Sequence, residues 1–593
     1  MTLLQSSGKE WWETALVYQI WPRGFQDTDG NGEGDLKGII SRLDYLNDLG
    51  IDVIWLNPVY PSPLIDSGYD ISNYTDINPL FGSLEQFDEL VKEAHHRDVK
   101  VMLDIVPNHS SDVHKWFLQS IDNIHPYNNY YVWSNGSIDE SDARTPPNNW
   151  VSTYSDKEGS AWTWHDKRKL WYYHKFHESQ PDLNLRNENV VQELLDVFNF
   201  WLKRGVDGFR INGVSYFFED KVLRDEPIGK NGSYTSGLPE NTALLYTFRS
   251  YIDKWVETNK ATSKLLVAES YDSDETLIAL YGNKTHAGIP PLNFRFIDCI
   301  RNTSTAQYIK TILDDWFKIL PANATTNWVL SNHDNSRAAS RIGLNRVDGL
   351  HMLSLLLPGQ AYTYYGEEIA MLDRKITNLT YEKYSRDPAR TPMQWNSDSS
   401  AGFSTNKITY LPLNPDYLER NVKMQELQKQ SNLNTYKSLA TLRREKVFTH
   451  GDYELTTLNN DRVLILKRFF ENHPTYVIVI NLNLRQEKVN LTSLYPNLED
   501  SMEIVIASSN AVHVTSHISG NNLLLTANAA YVLKAKEIKE TTTDSSTESS
   551  TETSTISTSS TTKSGKNTAA VAASTSMLRL IINAFAIILF SKF

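Results

Sequence analysis

Two hydrophobic rhythms alternate along most of the chain. Short, nearly continuous apolar runs read as strands covered on both faces; examples are Val17-Tyr18-Gln19-Ile20, Val53-Ile54-Trp55-Leu56, Val101-Met102-Leu103-Asp104-Ile105-Val106 and Leu265-Leu266-Val267-Ala268. Longer segments between them, beginning with Leu36 to Leu49, space their apolar residues as amphipathic helices do. Gly208 to Ile211, Leu292 to Ile297, Asn327 to Asp334 and Tyr362 to Glu368 add further strand candidates. This alternation predicts the α/β class, with a parallel sheet wrapped by helices closing into a TIM (β/α)8 barrel.

The rhythm breaks in three places. From about Ser110 to Gln180 the sequence is rich in aromatics, Asn and Pro, and is too long for a passive connection. After a last helical run, Leu433 to Glu445, period-two segments take over at Tyr453 to Leu458, Val463 to Phe469, Tyr476 to Asn481 and Leu523 to Leu533. They predict an all-β C-terminal domain, a β-sandwich over 451–536. Beyond it, Thr541 to Thr562 is almost entirely Ser, Thr and Glu, so 537–566 is expected to form a disordered stalk. The last stretch, 567–593, sets small residues (Asn567-Thr568-Ala569-Ala570) ahead of a short apolar end, Leu578 to Phe590. That order fits a GPI-anchor signal better than a spanning helix, and it places the protein on the extracellular face of the plasma membrane. Secretion then requires a leader, and no apolar run of that kind stands near Met1.

A length of 593 residues calls for two or three domains. The net charge of −13, without a basic patch, argues against nucleic acid as a partner. One cysteine, Cys299, permits no intrachain disulfide. Asn-x-Ser/Thr triplets, Asn73 and Asn283 among them, permit glycosylation of a secreted protein. The 15 Trp and 30 Tyr suit sugar-stacking surfaces, although most aromatics in a large protein fill its core.

The chemistry-bearing residues gather where the predicted strands end. The run Asp27-Thr28-Asp29-Gly30-Asn31-Gly32-Glu33-Gly34-Asp35 offers oxygens at alternate positions, as a hard cation such as structural Ca2+ requires. The side chains of Asp27, Asp29, Asn31 and Asp35 and the carbonyl of Glu33 are the candidate ligands; the same run also reads as an acidic turn. Polar strand ends follow at Asn108-His109, at Arg210-Ile211-Asn212-Gly213, at Glu269 and at Asn332-His333-Asp334.

Taken in order over roughly residues 10 to 535, these motifs resemble those of the α-amylase family of glycoside hydrolases. Gln180-Pro181-Asp182-Leu183-Asn184 and Arg386-Asp387-Pro388-Ala389-Arg390-Thr391-Pro392-Met393-Gln394-Trp395 resemble blocks of its α-glucosidase branch, which includes the membrane-anchored maltases of insect guts. The resemblance implies a catalytic-type barrel over 10–110 and 181–450, interrupted after strand 3 by a small inserted domain over 111–180. It also implies retaining hydrolysis of terminal α-1,4-glucosyl units of maltose- or sucrose-like molecules. Small α-glucosides are therefore the expected ligands. The membrane, through the lipid anchor, a protein ligand at the cell surface and a second copy in a homodimer are the other expected partners.

Retention needs one carboxylate to attack the anomeric carbon and a second group to protonate the departing oxygen. By resemblance Glu269 is the acid/base and Asp334 the carboxylate that favours the transition state. His109 and His333 bind hydroxyls, Arg210 positions the nucleophile, Asp66 and Tyr69 touch the glucose ring, and Arg386 or Arg390 completes the pocket. The nucleophile itself, Asp in the family, is Asn212 here, followed by Gly213 instead of Ala. A carboxamide is neutral and weakly nucleophilic, so hydrolysis is expected to be lost or severely weakened while glucose binding survives. The alternative expectation is a non-catalytic cell-surface receptor for sugar or protein on this scaffold. Asn-Gly pairs are also prone to deamidation, which a buried strand end should resist.

Overall fold

Seven parallel strands form the central sheet of the computed structural model, which describes residues 9–140, 142–154, 159–230, 232–376, 386–512 and 515–537. They are β1 (Leu16–Ile20), β2 (Val53–Leu56), β3 (Lys100–Ile105), β4 (Gly208–Ile211), β5 (Leu265–Ala268), β6 (Asn327–Val329) and β7 (Gln360–Tyr364). Their spatial order is β5-β4-β3-β2-β1-β7-β6, which leaves β5 and β6 at the two edges. Asp104 on β3 lies beside Arg210 on β4, and Val267 on β5 lies on the other side of Arg210.

The strand predicted at Leu292 to Ile297 is not there. Arg295–Cys299 is a short helix, and only the irregular stretch before it joins the sheet. Pro290 and Pro291 lack N–H groups and cannot sustain a ladder on both sides. On one side Ala268 N donates to Pro290 O and Leu292 N donates to Ala268 O, at 2.9 and 2.8 Å. On the other side the buried Asn327 side chain replaces the missing backbone pairing. Its Nδ2 donates to Pro291 O at 2.8 Å, and its Oδ1 accepts from Asn293 N at 2.7 Å. The segment thus bonds both edges of the sheet, and the ring closes as a TIM barrel.

Other boundaries shift for local reasons. The helix expected over Leu36 to Leu49 is two, Leu36–Ser41 and Leu43–Asp48, with a break at Arg42 (φ −110°, ψ 5°). There the guanidinium turns to Gln26 Oε1 at 2.8 Å and lies over the Trp395 ring. The strand expected over Asn327 to Asp334 ends at Val329, and that expected over Tyr362 to Glu368 ends at Tyr364, before Gly366 turns left-handed at φ +79°. The helix Leu84–His95 illustrates how one strand is delivered to the next. Ser83 and Gln86 cap it reciprocally, Phe87, Leu90, Val91 and Ala94 face the core, and Val99 N closes it on Ala94 O just before β3.

Within the interruption after β3, Trp133–Ser134, Trp162–His165 and Leu170–Tyr173 form a small antiparallel sheet beside the helix Lys115–Ile121. The C-terminal region has a six-stranded antiparallel sheet made of β8 (Asp452–Leu458), β9 (Val463–Phe469), β10 (Thr475–Asn481), β12 (Ser501–Ala507), β13 (His517–Ser519) and β15 (Ala530–Ala535). A separate pair, β11 (Glu487–Val489) and β14 (Leu523–Leu525), lies beside it. The single strand expected over Leu523 to Leu533 is therefore two, separated by a turn with Asn528 at φ +55°. Period two is plain in β9: Val463 and Ile465 enter the C-terminal core, while Leu464 and Leu466 join the core shared with the barrel. The stalk and anchor signal lie outside the described residues, apart from Glu537. Among the described residues, no helix is long and apolar enough to cross a membrane.

Candidate active site

The carboxyl ends of the strands converge on one polar cluster. Arg210, almost fully buried on β4, is its hub: Nη2 meets Glu269 Oε1 at 2.8 Å, and Nη1 meets Asp104 Oδ1 at 3.2 Å. Asn212 leaves β4 with its backbone N bonded to Ile105 O, at the end of β3. Its side-chain Nδ2 donates to Glu269 Oε2 at 2.8 Å, and the next backbone N, that of Gly213, donates to the same oxygen at 3.1 Å. Gly213 sits at φ +63°, a left-handed turn that glycine adopts most easily. Burial pushes Glu269 above the usual carboxylic-acid range; Arg210 opposes the push and Asp334 adds to it.

Asp334 follows β6 and lies between two guanidinium groups, Arg386 Nη1 and Arg390 Nη2, each 3.0 Å from Oδ1. Either arginine was expected to complete the pocket, and the structure brings both to Asp334. Burial would raise Asp334, but His333, Arg386, Arg390 and Arg210 together hold it well below the ordinary range. Arg386 also reaches Asp66 Oδ1 at 2.5 Å, joining the loop after β2 to the loop after β7.

His333 is buried with its tautomer set by its neighbours. Nδ1 faces the Gln19 amide at 2.8 Å and so accepts, which leaves the proton on Nε2, 3.0 Å from Asp334 Oδ2 and 2.7 Å from Tyr69 OH. Tyr69 OH then donates to Asp104 Oδ2 at 2.7 Å, and its ring stacks on the His333 ring. His109 closes the opposite side. Its Nδ1 faces Asn108 Oδ1 at 2.8 Å and its Nε2 faces the Gln180 amide at 3.0 Å. Burial takes His109 down to about 4 and holds His333 well below the ordinary imidazole value, so both rings are neutral at pH 7.

Two members of the cluster carried no role in the sequence reading. Gln180 is fully buried and its Nε2 reaches both Asp66 Oδ2 and His109 Nε2, each at 3.0 Å. It is carried there because Ser110 N bonds Pro181 O and Leu183 N bonds Asn108 O, seating its pentapeptide on the end of β3. Asp104 is the other. A carboxylate inside an otherwise apolar strand was the available signal for it.

Three of the expected calcium ligands lie together. Oxygens of Asp27, Asp29 and Asp35 lie within 4.8 Å of one another. Asn31 Oδ1 accepts from Glu33 N at 2.7 Å, and the Glu33 carboxylate pairs with Arg23 at 2.7 Å, a contact that does not involve the Glu33 carbonyl expected to ligate. Three converging carboxylates, with the adjacent arginine directed to Glu33, make a donor set that fits a hard divalent cation.

A cluster of this kind can grip a small polyhydroxylated ring and stabilise positive charge at its centre. Comparison with known proteins assigns it a lineage. The family described as "Alpha amylase, catalytic domain" matches residues 19–451. Maltase 1 of Drosophila virilis is 39% identical over 89% of this chain and 87% of its own length. The salivary alpha-glucosidase of Aedes aegypti is 37% identical over 89% of this chain and 96% of its own. Among solved structures, the trehalulose synthase MutB from Pseudomonas mesoacidophila superposes with a TM-score of 0.78 at 28% identity, covering 89% of this chain and 100% of that one.

Proposed function

Because this chain belongs to the α-amylase family of glycoside hydrolases, alongside insect maltases and α-glucosidases, we propose that its pocket holds the terminal α-glucosyl unit of small α-glucosides while cleaving them only feebly. The observation that carries this reading is the 2.8 Å hydrogen bond from Asn212 Nδ2 to Glu269 Oε2. Two ionised carboxylates would repel at that distance, whereas the amide N–H donates to the Glu269 oxygen. The reading gives binding to the groups that remain: Asp334, His333, His109, Asp66 and Gln180 offer acceptors and donors to sugar hydroxyls. It denies the pocket its covalent step, since an amide oxygen does not form a glycosyl ester that water can release. An inverting route is no better served, for it needs about 6.5–9.5 Å between two catalytic groups to seat a water.

Two further proposals accompany this one. Asp27, Asp29 and Asp35 would hold a structural Ca2+, which supplies charge to bind the loop together and takes no part in the reaction. The Ser/Thr-rich segment and small-residue/apolar tail would attach the protein by a glycolipid to the outer cell surface.

Hydrolysis of a chromogenic α-glucoside by the wild type, Asn212→Asp and Asn212→Asp/Glu269→Gln tests the main reading. The single reversion is expected to raise kcat/KM by ~10⁴-fold or more, and the added Glu269→Gln to remove the gain. Equal, Glu269-dependent turnover in the wild type and Asn212→Asp would defeat it.

A further inference from the structure

The end of the barrel opposite the polar cluster collects buried positive charge. There the segments entering β1, β2, β3 and β7 meet the residues that follow the helix Asn432–Leu442. Arg443 is 4% exposed; its Nη groups donate to the carbonyls of Leu355, Thr14 and Gly359, and its Nε has no partner. Arg468, fully buried nearby, likewise donates only to backbone carbonyls. Among the described residues, no carboxylate forms an ion pair with either guanidinium. Burial takes Arg443 to about 10 and Arg468 to about 9, and Arg443 adds to the fall in Arg468.

A groove of about 460 Å³ opens beside Arg443, and its charged lining is Arg443, Arg444, Lys100, Asp52 and Asp98. Three cations thus face two carboxylates, in a chain whose net charge is −13. Asp52 is already satisfied: Oδ2 accepts from Leu16 N at 2.8 Å and Oδ1 from Arg444 at 3.3 Å. Lys100 Nζ lies over the Trp11 ring, 5.8 Å from its centre, and pairs with no carboxylate among the described residues. Asp98, exposed at φ +58°, is the one acidic group here without a cation. The flanking lysines are matched: Lys264 faces Asp207 at 3.8 Å, and Lys9, bonded to Thr449 O, has Glu13 beside it. An ion with several acceptor oxygens suits such a place, because ammonium and guanidinium groups bind oxyanions through charge-assisted hydrogen bonds. We propose that this groove binds a small tetrahedral oxyanion, such as sulfate or phosphate, held by Lys100 and Arg444 in the field of the buried Arg443.

Calorimetric titration of sodium sulfate into the whole protein tests this, with EGTA present and ionic strength held constant by NaCl. The proteins are the wild type, Lys100→Met and Asp98→Asn, each first shown by thermal melting to be folded. Asn tolerates the left-handed backbone at position 98, so the second variant changes charge and little else. The wild type should show one saturable site. Lys100→Met should weaken it by about 5-fold, the upper end of what an exposed ion pair contributes, and Asp98→Asn should tighten it by about 2- to 5-fold. These opposite signs separate a site from the general stabilisation that sulfate gives by exclusion from protein surfaces, which neither saturates nor depends on one residue. No saturable binding to the wild type overturns the proposal, and so does an affinity that is the same in all three proteins.

Discussion

An amide at position 212 gives Glu269 a partner where a carboxylate would give it a rival. The same geometry bears on the chemical durability of the Asn-Gly pair. Succinimide formation needs the Gly213 nitrogen to attack the Asn212 side chain, and here that N–H is engaged by Glu269 Oε2. Single buried groups also set the response to pH, and His174 isolates one such contribution. Its ring is 1% exposed, with Nδ1 facing Phe176 O and Nε2 facing Thr163 Oγ1, both at 3.0 Å. Burial takes it to about 4, against roughly 6.5 in an unfolded chain. Because the folded state resists the proton that the unfolded state accepts, its contribution is complete above pH ~6.5 and is lost as pH falls through 4. Many buried carboxylates titrate in the opposite sense, so a difference measurement is needed. Urea denaturation of wild type and His174→Gln should show the wild type's relative stability falling by about 2–3 kcal/mol between pH 7 and pH 4. A constant difference would refute the assignment.

At the scale of elements, the barrel is closed by a side chain. Pro290 and Pro291 interrupt the ladder, and the Asn327 amide spans the gap to Pro291 O and Asn293 N. Truncation in Asn327→Ala strands both backbone groups in the core and is expected to cost about 2–5 kcal/mol, read as a lower denaturation midpoint with an unchanged slope. A loss within about 0.5 kcal/mol would mean that water or a shifted strand takes over the pairing. The other strands were legible because continuous apolar runs bounded by turns have few alternatives. Leu292 to Ile297 was misread for the same reason. Its apolar content fits a buried helix as well as a strand, and periodicity over six residues cannot separate them. The split of Leu523 to Leu533 lay in a backbone reversal at Asn528, which no hydrophobic pattern records.

Across the whole molecule, remote segments are tied through the first loop. Asp27 N bonds Phe403 O at 2.9 Å and Asp27 Oδ2 accepts from Ser404 Oγ at 2.5 Å, across 377 residues of chain. A cation held by Asp27, Asp29 and Asp35 would stabilise that link along with its own loop. Excess Ca2+ should therefore raise Tm by about 2–5 °C over EGTA-treated protein, and Asp29→Ala should abolish the rise; no shift in the wild type would dismiss the ion. The sequence by itself determined the strand–helix order, the all-β close and the identity of residue 212, because burial patterns and side-chain chemistry are written locally. Only the tertiary structure decided that Gln180 and Asp104 belong to the site, that both Arg386 and Arg390 grip Asp334, and that Asn212 donates to Glu269. Those contacts join segments tens to hundreds of residues apart, and their distances are fixed by how the barrel closes and by nothing in the neighbouring sequence.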